Sequence, residues 1–270
     1  MVYQYGPRAT RGALYFQGLC YHESMDTKPF LKTLNDWIHA SEHTVFFGGA
    51  GVSTESGVPD FRGAQGLYQS LGGAEMYLGL EFMERHPEEF YKFYREYFMM
   101  KGILPNACHE KLAEMEGKGK LQAIVTQNVD GLHQQAGSQK VFELHGNGGR
   151  FYCHRCKTPY SFDAVDQFQG AFFCTKEGCG GLVRPDIVMY GESLDPRVLE
   201  GAIFAIEQAD LIIVGGSSLT VYPAAGLIHY RKRGSKLVLI NLDPTPYDAL
   251  ADLVAHESIA KLFRELVIAR

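Results

Sequence analysis

Thr44-Val45-Phe46-Phe47-Gly48-Gly49-Ala50-Gly51-Val52-Ser53-Thr54 sets an unbroken apolar run directly against a cluster of glycines. Such a run reads as a buried parallel strand, and glycines at its end let main chain approach a ligand closely. Backbone N–H groups in a turn of this kind can cradle a pyrophosphate. The loop departs from the dehydrogenase fingerprint. After Gly49 and Gly51 the third glycine position holds Thr54, and no acid lies near positions 69 to 71 to hold an adenosine ribose. Hydride transfer therefore loses ground, and a tight strand-to-helix turn without a ligand stays open on this loop alone.

Upstream, Phe30, Leu31, Leu34, Trp37 and Ile38 recur at helical spacing over 30–40. Downstream, a helix-like stretch rich in aromatics covers 76–100, and Pro105 precedes a second helix over about 106–116. Residues 121–125 and 141–144 are short strand candidates. The first ends in Thr126-Gln127-Asn128-Val129-Asp130 and the second in His145-Gly146-Asn147. Polar residues at strand ends mark where open α/β sheets bind ligands. Two more apolar runs, 210–214 and 236–240, stop at Gly215-Gly216 and Asn241, and helical spacing returns over 259–268. The pattern predicts an α/β fold, a Rossmann-like doubly wound parallel sheet with a smaller inserted module. The expected boundaries are 26–66, 104–148 and 182–270 for the sheet domain, and 67–103 with 149–181 for the small helical and metal-binding module.

With 270 residues, 46% hydrophobic and 21% charged, the chain can bury one large core, and its composition excludes extended disorder and a coiled coil. Its apolar runs fall far short of the ~18 residues of a spanning helix, so no membrane association is expected. A net charge of −5 lacks the electrostatic footprint of a general nucleic-acid binder, and no direct nucleic-acid binding is expected. No apolar signal core precedes a cleavage-like site, which makes a cytoplasmic location the expectation. Residues 1–25 lack hydrophobic periodicity, carry Arg8 and Arg11 with no acid before Glu23, and contain Leu14-Tyr15-Phe16-Gln17-Gly18. That segment reads as an extension, a tag remnant, a mis-assigned start upstream of Met25 or a weak organelle presequence, and it is expected to be disordered.

Four of the six cysteines, Cys153, Cys156, Cys174 and Cys179, are clustered, while Cys20 and Cys108 stand apart. Their pattern, Cys-x2-Cys and Cys-x4-Cys separated by 17 residues, falls within the ligand spacing of structural zinc sites. Four thiolates close a tetrahedral site and leave no position for water, so one zinc would hold the fold and do no chemistry. Coincidentally spaced thiols are the alternative. Asp163, Asp166 and Glu177 accompany the few cations of this segment, which does not suggest a phosphate-binding face. His145, at a strand end near Asn128 and Asp130, is a candidate general base, although a lone histidine is more often structural.

Taken together, these motifs resemble the sirtuins, NAD-consuming protein lysine deacylases. The likeness runs from about Lys28 to the C-terminus. It rests on Gly49-Ala50-Gly51-Val52-Ser53-Thr54-Glu55-Ser56-Gly57-Val58-Pro59-Asp60-Phe61-Arg62, on Thr126 to His133, on Glu143-Leu144-His145-Gly146-Asn147 and on the four cysteines. It continues through Arg184 to Glu192, Gly216-Ser217-Ser218-Leu219 and Ile240-Asn241-Leu242. The resemblance implies an NAD-binding Rossmann-like domain, a zinc-and-helix module, and an active site in the cleft between them.

It further implies that Gly49, Ala50 and Gly51 meet the pyrophosphate of NAD and that Asp60, Phe61 and Arg62 lie on a loop closing over it. Asn128 and Asp130 would work at the nicotinamide ribose and carboxamide, and Gln127 at a ribose. Gly216, Ser217, Ser218 and Asn241 would hold the adenosine half. His145 would be the base, with Asn128 also catalytic. Val188, Tyr190, Gly191 and Glu192 on one side, with Leu219 and Val221 on the other, would clamp an acyl-lysine peptide as an added strand. The products would be nicotinamide, an O-acyl-ADP-ribose and free lysine. A mono-ADP-ribosyltransferase and a non-catalytic NAD-binding zinc protein remain alternatives.

Acyl preference turns on Phe90-Tyr91-Lys92-Phe93-Tyr94-Arg95. Sirtuins that remove acidic acyl groups carry a tyrosine and, three residues later, an arginine. Here that second position is Tyr94. The expectation is that Tyr91 faces the acyl pocket, that Arg95 points away from it, that Phe90 and Phe93 pack the core, and that acetyl or another uncharged acyl is preferred.

Overall fold

The computed structural model describes residues 27–60 and 73–268, so the expectations for residues 1–25, Phe61 and Arg62 lie outside the described residues. In chain order the strands are β1 (Thr44–Gly48), β2 (Ala123–Thr126), β3 (Val141–Glu143), β4 (Gly146–Cys153), β5 (Pro159–Ser161), β6 (Val183–Ile187), β7 (Leu211–Gly215), β8 (Lys236–Ile240) and β9 (Leu253–Ala255). Six of them form one parallel sheet in the order β3-β2-β1-β7-β8-β9. This is the doubly wound arrangement, and its strand order reverses between β1 and β7.

The strands that read as continuous apolar runs are buried on both faces, because side chains alternate across a sheet sandwiched by helices. Phe46, Ile213, Val238 and Ile240 enter one core layer with Leu34 of helix Thr27–Ala40, Leu112 of helix Ala107–Gly117 and Phe263 of helix Ile259–Glu265. Val45, Phe47, Ile212, Val214 and Leu239 enter the other with Ala202 and Ile206 of helix Pro196–Gln208. Asn106 caps its helix by accepting from Cys108 N–H at 2.9 Å.

A smaller antiparallel sheet, β5-β4-β6, carries the cysteine segment. A third apolar cluster packs Met83, Phe90, Phe93 and Tyr94 against Phe151 of β4 and Val183 of β6. The helix expected over 76–100 is broken into a 3-10 turn, Ala74–Leu78, and helices Leu80–Arg85 and Pro87–Tyr97. Pro87 is the cause: it has no N–H to donate, and it pushes His86 out of the helical region, to φ −131° and ψ 57°.

The expectation that Tyr91 faces the acyl pocket is corrected here, whereas Arg95 does point away from it, on the same helix face as Tyr91. Tyr91 is fully buried, and its hydroxyl donates to the Val183 carbonyl at 2.7 Å. Burial raises its pKa further above the phenol range than the neighbouring Arg95 lowers it. Arg95, four residues on, shares its helix face, as i,i+4 residues do. Its guanidinium lies 4.8 Å from the Tyr91 ring centre and donates to the Gly170 and Phe168 carbonyls at 2.6 and 2.7 Å. Tyr94, Phe90 and Phe93 are buried in the same cluster.

Beyond β1 and β7 the main chain stays in contact: Gly51 N–H donates to the Gly216 carbonyl at 2.8 Å. A side chain on Gly51 would meet Gly216 Cα at 2.8 Å. Gly216 has φ +57°, and a Cβ there would overlap the main chain of Gly51 and Val52. Gly216→Ala therefore adds left-handed strain to a backbone overlap, and a loss of about 2 kcal/mol or more is expected. Thermal denaturation with far-UV detection should show a Tm lowered by roughly 4–8 °C. An unchanged Tm would mean that the two loops are not packed this closely.

Candidate functional site

At the carboxyl ends of β1, β2, β7 and β8 lies a cleft of about 960 Å³, large enough for a dinucleotide-sized ligand. The expected NAD- and peptide-contacting residues within the described chain all line it, except Leu219. Leu219 is 2% exposed with φ +54°, so its side chain belongs to the core layer beneath. Val221 and Tyr222 of the same loop do line the cleft.

Strand ends position the polar groups. Gln127, just after β2, donates from its N–H to the Gly48 carbonyl at 3.0 Å and from Nε2 to Ser217 Oγ at 3.0 Å, joining the β2 and β7 loops. Asn241, after β8, donates from Nδ2 to the Asp243 carbonyl at 2.8 Å. The chain after β1 folds back through two 3-10 turns, Ala50–Val52 and Thr54–Ser56, which bring Ser53 inward.

Ser53 is fully buried and joins the site's polar side chains. Its hydroxyl donates to Asp130 Oδ2 at 2.6 Å and accepts from Asn128 Nδ2 at 3.0 Å. His109 Nε2 lies 3.4 Å away. Because His109 Nδ1 accepts the Asn106 N–H at 3.2 Å, Nε2 carries the ring proton and points it at Ser53. Burial lowers the His109 pKa to about 4, which keeps the ring neutral. Burial also raises the Asp130 carboxyl, against the lowering pull of the Ser53 hydroxyl and the Leu132 N–H, which reaches Oδ1 at 2.9 Å.

His145 follows β3 and immediately precedes β4. Its Nδ1 sits 2.9 Å from the Gln127 carbonyl, which can only accept, so Nδ1 is protonated and Nε2 is the basic nitrogen. The loop is braced by Glu143, whose Oε1 accepts from Asn147 Nδ2 at 2.6 Å and Gln134 Nε2 at 2.8 Å. Gly146 has φ +78°, and a Cβ there would overlap the Asp186 carbonyl of β6.

On the far wall, Tyr190 uses both main-chain groups against the segment before helix Leu80–Arg85: its N–H donates to Leu78 O at 3.0 Å and its carbonyl accepts from Leu80 N–H at 3.1 Å. The Glu192 carboxylate is gripped by Arg184 at 2.6 and 2.7 Å. Burial alone would raise the Glu192 pKa, but Arg184 and the Met189 N–H outweigh it and hold it below the ordinary carboxylate range. Sequence reasoning quoted Ser53 and Arg184 without giving either a role, and it missed His109.

The four expected zinc ligands do converge. Their sulfur atoms all lie within 4.8 Å of one another, with Cys153–Cys179 and Cys156–Cys174 each 3.6 Å apart. Tetrahedral zinc with bonds of about 2.3 Å needs sulfurs about 3.8 Å apart, so this donor set fits the ion. The Tyr160 hydroxyl donates to Cys174 Sγ at 3.1 Å and accepts the Thr175 N–H at 2.9 Å, supporting the ligands from behind. β4 pairs Gly146 with Ile187 and Cys153 with Val183, four residues apart on β6, so the cysteine end lies roughly 13 Å along the ladder from the His145 end and zinc held there lies outside the cleft.

The Sir2 family model matches residues 49–223. An NAD-dependent protein deacetylase of Clostridium perfringens is 50% identical over 247 residues, covering 90% of this chain and all of that protein. The corresponding protein of Thermotoga maritima is 43% identical over 246 residues, 90% and 98% of the two chains. Among solved structures, a Sir2–p53 peptide–NAD+ complex superposes with a TM-score of 0.77 at 41% identity, over 89% of this chain and 97% of that one. A Sir2 variant with a deacetylated p53 peptide and 3′-O-acetyl-ADP-ribose gives 0.80 at 42%, over 89% and 96%. With 50% identity over 247 residues to a relative that is covered in full, and a family match that takes in the cysteine sheet, both glycine loops and most of the cleft lining, this chain belongs to the Sir2 family.

Proposed function

We propose that the chain is an NAD-dependent protein lysine deacetylase acting on acetyl-lysine or other uncharged acyl-lysine peptides. The observation that carries this reading is His145, whose tautomer is set by the Gln127 carbonyl with Nε2 as the basic nitrogen, in the same cleft as Asn128 and Asp130. Its relatives bear the name NAD-dependent protein deacetylase, and solved Sir2 structures hold NAD or acetylated peptide.

NAD supplies an ADP-ribosyl group whose bond to nicotinamide breaks with positive charge developing on the sugar. The chain's part is to bind, orient and exclude water. Gly49, Ala50 and Gly51 bring main chain to the pyrophosphate, and Gly216, Ser217 and Asn241 receive the adenosine half. Asn128 and Asp130, held by Ser53, orient the nicotinamide end and its ribose. His145 Nε2 would accept a proton from a ribose hydroxyl, so that this oxygen can attack the acyl carbon once the acyl-lysine oxygen has replaced nicotinamide on the sugar; water then releases free lysine and the O-acyl-ADP-ribose. Val188, Gly191 and Val221 flank the acyl-lysine main chain. We further infer that the chain works in the cytoplasm, since zinc thiolates persist in a reducing compartment.

Measuring nicotinamide release with and without an acetyl-lysine peptide tests the reading directly. Peptide-dependent release supports a deacetylase. Release with label transferred to protein means ADP-ribosyl transfer, and NAD binding without release means a sensor. Replacing His145 with Ala should lower turnover ~10² to 10⁴-fold while zinc content and NAD binding persist. Near-normal turnover in the folded variant refutes the assignment.

Metal removal has its own expected outcome. Purified protein should carry one zinc, and chelation or Cys153→Ala should lower both Tm and activity, because closed thiolate sites contribute folding energy directly. Full activity after complete zinc removal, checked by metal analysis, would count against a structural role.

Acyl preference follows from the charges around the cleft. Among the described residues Lys101 is the sole lysine or arginine lining it, and Asp166 already pairs with that ammonium at 2.6 Å. Asp60, Asp130, Glu192 and Asp243 share the lining. A succinyl carboxylate would meet these acids with no uncommitted cation among the described lining residues, so acetyl and butyryl should exceed succinyl by at least ~10-fold in kcat/KM on one peptide. A wild-type preference for succinyl would overturn this.

A further inference from the structure

Arg184 of β6 is 1% exposed, the one lysine or arginine buried among the described residues. A buried guanidinium of this kind is costly, and apolar side chains of similar volume often serve stability equally well. Its contacts point elsewhere. Nη1 and Nη2 donate to both Glu192 oxygens at 2.6 and 2.7 Å, and Nη2 also donates to the Ile187 carbonyl at 2.6 Å. Nε donates to the Pro185 carbonyl at 3.2 Å. Glu192 Oε2 accepts the Met189 N–H at 2.9 Å, and the Glu192 N–H returns to the Met189 carbonyl at 3.0 Å. Residues 187–192 are thus wrapped around one guanidinium.

The Ile187–Val188 peptide unit is held on both sides. Arg184 takes its carbonyl, and its N–H donates to the His145 carbonyl at 2.9 Å. One buried cation therefore fixes, at the same time, the loop that flanks the acyl-lysine and the main chain that carries the base. We infer that Arg184 and Glu192 are a positioning pair that sets the distance between His145 and the peptide-flanking segment 188–191. This rests on the proposed role of that segment and of His145. Glu192 then acts through its carboxylate on Arg184 and not by touching the peptide. The pair also joins the cysteine sheet to the cleft, because Val183, its chain neighbour, pairs with Cys153 on β4 and accepts the Tyr91 hydroxyl. Lysine cannot substitute: a point ammonium cannot serve two carboxylate oxygens and a carbonyl in one plane.

The test compares wild type with Glu192→Gln, Arg184→Lys and the double variant, using an acetyl-lysine peptide and NAD. Each single variant should raise peptide KM and lower kcat, with kcat/KM for peptide reduced ~10 to 100-fold, while the KM for NAD stays within about twofold and zinc content is unchanged. The double variant should be no worse than the poorer single one, since the two groups act as a unit. Folded, zinc-loaded Glu192→Gln with unchanged peptide kinetics overturns the proposal. So does an effect on peptide KM alone in Glu192→Gln with none in Arg184→Lys, the signature of direct peptide contact. If Arg184→Lys does not fold, Glu192→Gln decides through kcat, which a mere peptide contact would leave intact. Absence of peptide-dependent nicotinamide release in the wild type would instead sink the proposed function.

Discussion

The pairing of β1 with β7, continued by main chain beyond both strands, is the constraint from which the cleft follows. Gly48 lies opposite Gly215 in the register, and Gly49 N–H then donates to the Gly215 carbonyl at 3.1 Å while Gly51 reaches Gly216. The Gly216 N–H in turn donates to the Ile240 carbonyl, tying in β8. This is where strand order reverses, so the connections leave toward opposite faces and a crevice opens. The glycines serve proximity here: side chains would part the two loops and with them the strand ends that carry Gln127, Ser217 and Asn241.

Ser53 shows how that proximity becomes chemistry. A hydroxyl has one proton and two lone pairs, and here Asp130, Asn128 and His109 use all three. A network satisfied in this way inside a low-dielectric core is rigid, whereas loss of one member strands the others. His109 takes part as a neutral donor. His133, its ring centre 4.8 Å from that of His109, is likewise kept neutral, its pKa lowered to about 3 by burial and then by His109. Two uncharged imidazoles let Phe46 and the apolar layer close against the back of the site.

Much of the sheet was legible because buried parallel strands show as apolar runs that stop at small or polar residues. The runs at 44–48, 211–215 and 236–240 did so, and their ends are where the cleft formed. β4 and β6 were invisible as strands: Gly146-Asn-Gly-Gly-Arg and Val183-Arg-Pro-Asp-Ile alternate poorly, and β4 carries a register shift between Asn147 and Phe151. Periodicity likewise ran through His86-Pro87, since a kink costs no apolar position. The cysteine cluster was readable from spacing, because ligand geometry constrains sequence locally. Arg184 was not, since its burial is decided by Glu192 and Tyr152, which reach it only in three dimensions.

The same strands explain how a metal held at the far end of the small sheet can still matter to the cleft. β4 begins at Gly146, beside His145, the proposed base, and ends at Cys153, one of the four clustered cysteines; β6 pairs with it from Val183 opposite Cys153 to Ile187 opposite Gly146. A closed four-thiolate site would stiffen one end of this small three-stranded sheet. At the other end the sheet delivers the His145 carbonyl to Val188 and the guanidinium of Arg184 to Glu192. Errors in register at the cysteines would therefore reach the cleft as displacement of His145 relative to residues 188–191, while the glycine loops, anchored on β1 and β7 of the other sheet, would keep their shape.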